Sequence, residues 1–332
     1  QGLLYMVEAL YNASGLGLPI VMTVANRAIG APINIWNDHS DTMSQRDSGW
    51  IQLYARDNQE AADLHPQAFR LAEELSLPVM VCMDGFVLTH AWERIEVPER
   101  AQVDAFLPPY DPRQVLDPDE PVSIGAMVGP DAFTEVRYLA HAKQMQALEA
   151  IPRVAAEFRD IFGRSSGGLV HPYACEDAET IVVVLGSVFG TVCDVVDEMR
   201  GRGVPIGALA ITSFRPFPLD AVRTVLQRAR QVVVLERALA VGIGGIVSAN
   251  VRTALSGIQL DGHTVVAGLG GRPITKESLH RLFDDAIAGR LEQLTFLDLD
   301  TGLVERELAR MAKTRRSGPS AENILRDVGS NR

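Results

Sequence analysis

The 332-residue sequence predicts an α/β protein built as two three-layer α/β/α domains with mostly parallel sheets. Three observations predict it. Short, nearly unbroken apolar runs, such as L-P-I-V-M-T-V at 18–24, P-V-M-V-C-M at 78–83 and T-I-V-V-V-L at 180–185, have the length and composition of strands buried on both faces. Between them lie stretches with apolar residues at three- and four-residue spacing, as at 59–75 and 191–200. Strand and helix in alternation imply parallel strands joined by crossover helices.

Taken in order, the chain opens in a helical pattern, with Leu3, Leu4, Val7, Leu10 and Tyr11 on one face and Gly15 and Gly17 as a stop. A buried strand at 18–24 follows, then a long polar loop, then a strand at 49–54 in which W-I-Q-L-Y alternates. Residues 59–75 read as a helix with Ala62, His65, Phe69, Ala72 and Leu75 on its apolar side. Pro66 lacks a backbone donor and crowds the preceding turn, which predicts a kink or restart near His65. The strand at 78–83 ends at Asp84-Gly85. Residues 93–131 are proline- and acid-rich and read as an excursion without a strand–helix unit. A helix at 133–162, broken at Pro152, leads to R-S-S-G-G at 164–168, which reads as a flexible hinge. Beyond it, strands at 180–185, 206–211, 231–235 and around Val265 and Val266 alternate with helices at 191–200, 219–228 and 244–255. The expected domains are 1–167 and 168–290, with a charged tail, 291–332, poorly ordered at its end.

Composition narrows the function. A formal net charge of −11 argues against a general nucleic-acid binder, which would carry a basic stripe. No apolar stretch reaches membrane-spanning length and no signal peptide is visible, so no membrane partner and a cytoplasmic location are expected. Cys82, Cys175 and Cys193 are too scattered for a metal knuckle, a disulfide framework or a cluster site. No metal-ligand set, nucleophile elbow or H-E-x-x-H is present. The glycine clusters G-S-V-F-G-T (186–191), G-I-G-G (242–245) and G-L-G-G-R (268–272) lack a complete phosphate-loop spacing and read as tight turns.

The chemistry-bearing stretch runs from 25 to 50, A-N-R-A-I-G-A-P-I-N-I-W-N-D-H-S-D-T-M-S-Q-R-D-S-G-W. It starts where a buried strand ends, and ligands of open parallel sheets sit beyond the carboxyl ends of strands, so Asn26, Arg27, Asp38, His39, Asp41 and Arg46 are site candidates. Arg27 has two readings: a structural ion pair with Asp38 or Asp41, or a fork for a substrate carboxylate. His39 reads first as a hydrogen-bonded organiser of its turn and second as a proton carrier.

That stretch, with Q-G-L-L-Y-M-V-E-A-L before it and D-N-Q-E-A, L-P-V-M-V-C-M-D-G-F-V-L-T-H, G-S-V-F-G-T, R-P-F-P and G-L-G-G-R-P-I-T after it, resembles the alpha subunits of the 2-oxoacid:ferredoxin oxidoreductases, most closely those acting on pyruvate. The resemblance runs to about residue 290. It implies that 1–167 is the C-terminal part of a pyrimidine-type thiamine-diphosphate-binding domain plus linker, entered midway, and that 168–290 is like the transketolase C-terminal domain. The family's cofactor-activating glutamate would precede Gln1, so no residue here is assigned as catalytic. Arg27 matches the arginine that binds the substrate carboxylate, with Asn26, Asp38 and His39 as site-lining candidates. The implied reaction is reversible oxidative decarboxylation of pyruvate to acetyl-CoA, with ferredoxin as electron acceptor. Thiamine diphosphate and Mg2+ would be shared with a beta subunit across the active-site interface, and iron–sulfur clusters would lie on partner beta and delta subunits of a complex that also contains gamma. Activity is not expected of this chain alone. A 2-oxoisovalerate or 2-oxoglutarate enzyme, or a non-catalytic assembly subunit of the same fold, remains open at this point.

Overall fold

The computed structural model describes residues 1–30, 32–313 and 320–329. Helices α1 (Gly2–Tyr5) and α2 (Val7–Gly15) bury Leu3 and Leu10 and lead into β1 (Val21–Asn26). The polar loop after β1 holds one helical turn, α3 (Ser40–Met43), before β2 (Ile51–Tyr54), α4 (Asn58–Leu75) and β3 (Val79–Asp84). A short α5 (Arg100–Phe106) stands within the otherwise irregular excursion, and the long α6 (Pro130–Phe162) ends the first half. The second half continues β4 (Val170–Tyr173), β5 (Thr180–Val184), α7 (Val188–Arg200), β6 (Ile206–Ile211), β7 (Ser213–Arg215), α8 (Leu219–Leu226), β8 (Gln231–Glu236), α9 (Val247–Ala254) and β9 (Asp261–Val266). It closes with α10 (Lys276–Ile287), β10 (Leu294–Phe296), α11 (Thr301–Lys313) and α12 (Ser320–Gly329).

These strands form two mostly parallel sheets, as the apolar runs predict. Strand β1, read as buried on both faces, is instead an edge strand with Thr23 and Ala25 exposed, and β2, read as alternating, is buried throughout because it lies between β3 and β7. The first has the order β1-β3-β2-β7, with β7 antiparallel to β2, and the second the order β10-β9-β8-β5-β6-β4, with β4 antiparallel at its edge. One face of the first sheet packs Ile51, Leu53, Val79 and Val81 against α4, α5 and α6. Its other face, with Val24, Met80 and Cys82, shares a core with Ile181, Val183, Leu209 and Ile211 of the second sheet and with α8 and α9. The far face of the second sheet is covered by α7 and α10. One apolar cluster therefore joins the two lobes, and β7 carries the chain from the second sheet back onto the first.

Three further local expectations are corrected. Helix α4 runs as one element through Pro66, and α6 does the same through Pro152. A single lost hydrogen bond, at about 3 kcal/mol for an interior proline, is outweighed by the packing of a long buried face. That face on α4 is Ala61, Leu64, Ala68, Leu71, Ala72 and Leu75, while Phe69 is 44% exposed and His65 instead meets Thr23 Oγ1 at 2.7 Å. The R-S-S-G-G segment is no loose hinge: Arg164 grips the buried Asp63 through Nε at 2.9 Å and Nη2 at 2.7 Å, and Ser166 Oγ donates to the same carboxylate at 2.8 Å. Residues after 291 add β10 to the second sheet, and the expected disorder at the very end of the tail lies outside the described residues. No described helix is long and apolar enough to cross a membrane.

Candidate functional site

Strands β1 and β3 run side by side and end together, Asn26 opposite Asp84, so both chains turn into loops at one edge of the first sheet. Asn26 is fully buried there. Its Nδ2 donates to Asp41 Oδ1 at 2.8 Å and to Thr42 Oγ1 at 2.7 Å, and the Arg27 N–H donates to Asp41 Oδ2 at 3.0 Å. Asp41 thus fixes the last strand residue and the first loop residue at once. Burial pushes its carboxyl up, and the N–H of Arg27 and the amide of Asn26 pull it back. Behind it, Thr42 Oγ1 and Tyr54 Oη share a 2.6 Å hydrogen bond.

Held by its backbone, Arg27 has its half-buried guanidinium free: among the described residues it makes no ion pair or hydrogen bond. The pairing with Asp38 or Asp41 that the sequence permits does not form. Asp41 takes the backbone of Arg27, and Asp38, buried, accepts from the N–H of Ser40 at 2.9 Å and of Gly270 at 3.2 Å. In the loops that leave this edge Ile29, Ile33, Trp36 and Phe86 are exposed, with the rings of Trp36 and Phe86 6.0 Å apart.

His39 turns inward. It is 2% exposed, its Nε2 lies 2.6 Å from Asp84 Oδ1, its ring meets Tyr54 edge-on, and its N–H donates to the Arg237 carbonyl at 2.8 Å. Asp84 is the hub that motif reading missed. Its carboxylate also accepts from the Ser187 N–H at 2.8 Å, from the Ser187 hydroxyl and from Arg237 Nη1 at 2.6 Å. Burial alone would push this carboxyl up, but Arg237, His39 and Ser187 overcome it and hold the group well below the usual carboxylate range. A Cβ on Gly186 would stand 2.9 Å from both carboxylate oxygens, so the first glycine of G-S-V-F-G-T admits Asp84 where a phosphate loop would admit a ligand. The G-L-G-G turn serves the same end, with Gly271 packed on Trp36 and the Gly270 carbonyl accepting from Asn34 Nδ2 at 3.2 Å. The available signal for Asp84 was a carboxylate closing a wholly apolar run; nothing local pointed to Ser187 or Arg237.

Comparison with known proteins bears on what this edge does. Residues 1–156 match the family model described as pyruvate flavodoxin/ferredoxin oxidoreductase, thiamine diphosphate-binding, and residues 178–279 match pyruvate:ferredoxin oxidoreductase core domain II. The pyruvate synthase subunit PorA of Methanosarcina barkeri is 44% identical over 92% of this chain and 78% of that protein. The PorA subunit of Thermotoga maritima is 42% identical over 88% of this chain and 75% of that protein. The chain belongs to the pyruvate:ferredoxin oxidoreductase family, as an alpha-type (PorA) subunit. The ketoisovalerate oxidoreductase subunit VorA of Pyrococcus horikoshii is less similar, at 35% identity over 86% of this chain and 73% of that protein.

The fold is that of the family too. The 2-oxoglutarate:ferredoxin oxidoreductase of Magnetococcus marinus, solved with 2-oxoglutarate, coenzyme A and succinyl-CoA bound, superposes with a TM-score of 0.55 at 16% identity, covering 86% of this chain and 52% of that one. Within the pyruvate:ferredoxin oxidoreductase frame, the loop from Asn26 to Asp41 lies in the thiamine-diphosphate-binding region, and Ser187 and Arg237, which brace it through Asp84, lie in core domain II. Among the described residues no three carboxylate, imidazole or thiol groups converge on a metal-sized point.

Proposed function

We propose that this chain is the alpha subunit of an enzyme that oxidatively decarboxylates pyruvate to acetyl-CoA with ferredoxin as acceptor, and that Arg27 binds the carboxylate of pyruvate. The observation that carries the assignment of Arg27 is its guanidinium, fixed at the backbone by Asp41 and left without an anion at the carboxyl ends of β1 and β3. An unpaired, partly desolvated guanidinium is the group best suited to grip a planar carboxylate with two parallel hydrogen bonds. Asn26, Asp38 and His39 keep the loop in place; their side chains are engaged within the protein.

Thiamine diphosphate, when bound, supplies the carbanion chemistry of decarboxylation. The described residues fit the substrate end of such a site and not the diphosphate end. The two turns most like phosphate cradles are filled by Asp84 and Trp36, and among the described residues no three acidic, imidazole or thiol groups converge for Mg2+. We therefore assign the diphosphate and Mg2+ to a beta subunit, with the active site across the alpha–beta contact made by the exposed apolar residues of the loops that leave β1 and β3. We assign iron–sulfur clusters to the beta and delta subunits of a complex that also contains gamma, since a cluster takes several thiolates and among the described residues no three ligand groups converge. A cytoplasmic location accords with three unpaired cysteines. The greater likeness to PorA than to VorA favours pyruvate over 2-oxoisovalerate. The test is a panel of 2-oxoacids given to the assembled complex with coenzyme A and ferredoxin, alongside the chain alone. Pyruvate should be turned over fastest by the complex and not at all by the chain. Turnover by the isolated chain, or preference for a branched 2-oxoacid, would overturn the assignment.

A further inference from the structure

A second concave site lies at the opposite end of the same sheet. Between the start of β2, the start of β3, the N-terminal half of α6 and the turn after β7 is a cavity of about 290 Å³, a volume suited to a small metabolite. Its walls bring together Arg46, Arg137, His141 and Arg215, with Trp50 and Phe217 as apolar surface. The one carboxylate on the described lining is Asp47, 69% exposed, whose Oδ2 lies 3.8 Å from Arg46 Nε in a loose ion pair. In a chain with a net charge of −11, such a gathering of cations is against the trend of the molecule.

Arg215 makes the gathering informative. Its Nε donates to the Arg46 carbonyl at 3.1 Å, and its Nη1 donates to the Phe214 carbonyl at 2.8 Å and to Asn250 Oδ1 at 3.2 Å, which fixes the side chain over the Phe214 ring. Its Nη2 has no acceptor among the described residues, and no carboxylate lies within ion-pair distance. Burial presses this guanidinium towards lower pKa; Asp47 offsets part of that from a distance, and neighbouring Arg46 adds to it. Holding a mostly buried cation beside a like charge, with no carboxylate in direct contact, is costly, and the cost is relieved if an anion completes the set. Arg137, exposed at the mouth, has no carboxylate partner among the described residues.

We propose that this cavity binds a small, doubly charged organic anion, a phosphate monoester, whose anionic head is held by Arg46, Arg137 and Arg215 and whose organic part lies against Trp50 and Phe217. Three cations against one exposed carboxylate favour a dianion, and the guanidinium fork suits phosphate oxygens. The apolar wall separates such a ligand from inorganic phosphate. The site stands on its own residues and does not depend on the role of Arg27.

Calorimetric titration of the full chain, alone and within its complex, with phenyl phosphate, inorganic phosphate and chloride at matched ionic strength tests this. Phenyl phosphate should bind one per chain, about tenfold or more tighter than inorganic phosphate. Arg137→Ala and Arg46→Gln should each weaken it about tenfold or more, while the distant surface variant Arg281→Ala binds as the parent does; circular dichroism confirms that each variant is folded. Absence of saturable binding to the parent chain overturns the proposal, as does equal binding by all variants. Binding by the isolated chain that vanishes in the complex also overturns it, because an acidic group of a partner subunit would then be the occupant.

Discussion

Arg27 and Asp84 are both charged residues where a strand of the first sheet ends, and their surroundings give them opposite roles. Arg27 has a fixed backbone and a free side chain; Asp84 has every carboxylate oxygen engaged. Losing a charge-assisted contact to substrate costs on the order of 2–3 kcal/mol, so Arg27→Ala in the assembled complex should lower kcat/KM for pyruvate about thirty- to two-hundred-fold. Arg27→Lys should recover only part, since an ammonium lacks the planar fork. Stability should change little, because the side chain has no partner to lose; an unchanged kcat/KM would remove Arg27 from the site. For Asp84 the expectation is reversed. Asp84→Asn leaves Arg237 buried beside an amide, and breaking a buried ion pair from one side costs about 3–5 kcal/mol. Because the folded-state carboxyl is held below its ordinary value, its contribution is complete above about pH 4 and is lost as the pH falls below it. Glu60 behaves similarly: burial pushes it up, but His171 and Arg56 bring it down to about 2, so its share disappears as the pH falls from about 4.5 through about 2. Urea unfolding followed from pH 7 to pH 2 should therefore show stability falling below pH 4 in the parent. Asp84→Asn should start lower and fall less steeply. A variant as steep as the parent would mean that Asp84 is not the titrating group.

At the scale of elements, the turn between β5 and α7 shows what its glycines are for. Gly186 has φ +72° and faces the Asp84 carboxylate, whereas Gly190, in the first turn of α7, faces open space. Gly186→Ala adds a strained left-handed residue and displaces a buried carboxylate, so it should cost at least 2 kcal/mol, of which ~1 kcal/mol is backbone strain. Gly190→Ala only improves helix propensity, and should raise stability by about 0.5–1 kcal/mol. Thermal unfolding of the two single variants separates these roles, and equal shifts of the same sign would refute the reading. The helices with internal prolines belong to the same scale. Local chemistry argued for breaks in α4 and α6, yet tertiary burial along each helix keeps it whole. The buried face of α4 is turned by about one position from the face read in the sequence, and it includes Asp63 and Gln67, which hold Arg164 and the Ser166 carbonyl.

In the whole molecule, the lobes are joined by the β2–β7 ladder, by a core cluster drawn from both sheets and by the Asp84 hub. Heating the chain should therefore give one transition, with calorimetric and van't Hoff enthalpies in agreement. Two resolved transitions would show that the lobes unfold independently despite these links.

What the sequence determined by itself was the α/β class, the central strands and the family. Fully buried parallel strands need unbroken apolar runs, and such runs stand out from the alternating helices around them. The family was legible because N-R-A-I-G and its companion motifs keep their order along most of the chain. Arg27 was legible as a candidate, but its two readings could be separated only by seeing Asp38 and Asp41 engaged elsewhere. Strand β7 was not legible: the three residues Ser213–Arg215 carry no period, and their place beside β2 is set by a partner about 160 positions earlier. Asp84 was hidden for the same reason. Its hydrogen-bond partners His39, Ser187 and Arg237 are scattered over some 200 residues, and only the joining of the two sheets brings them to one carboxylate. Local sequence fixes which segments can be buried, while the pairing of buried charges depends on which segments meet.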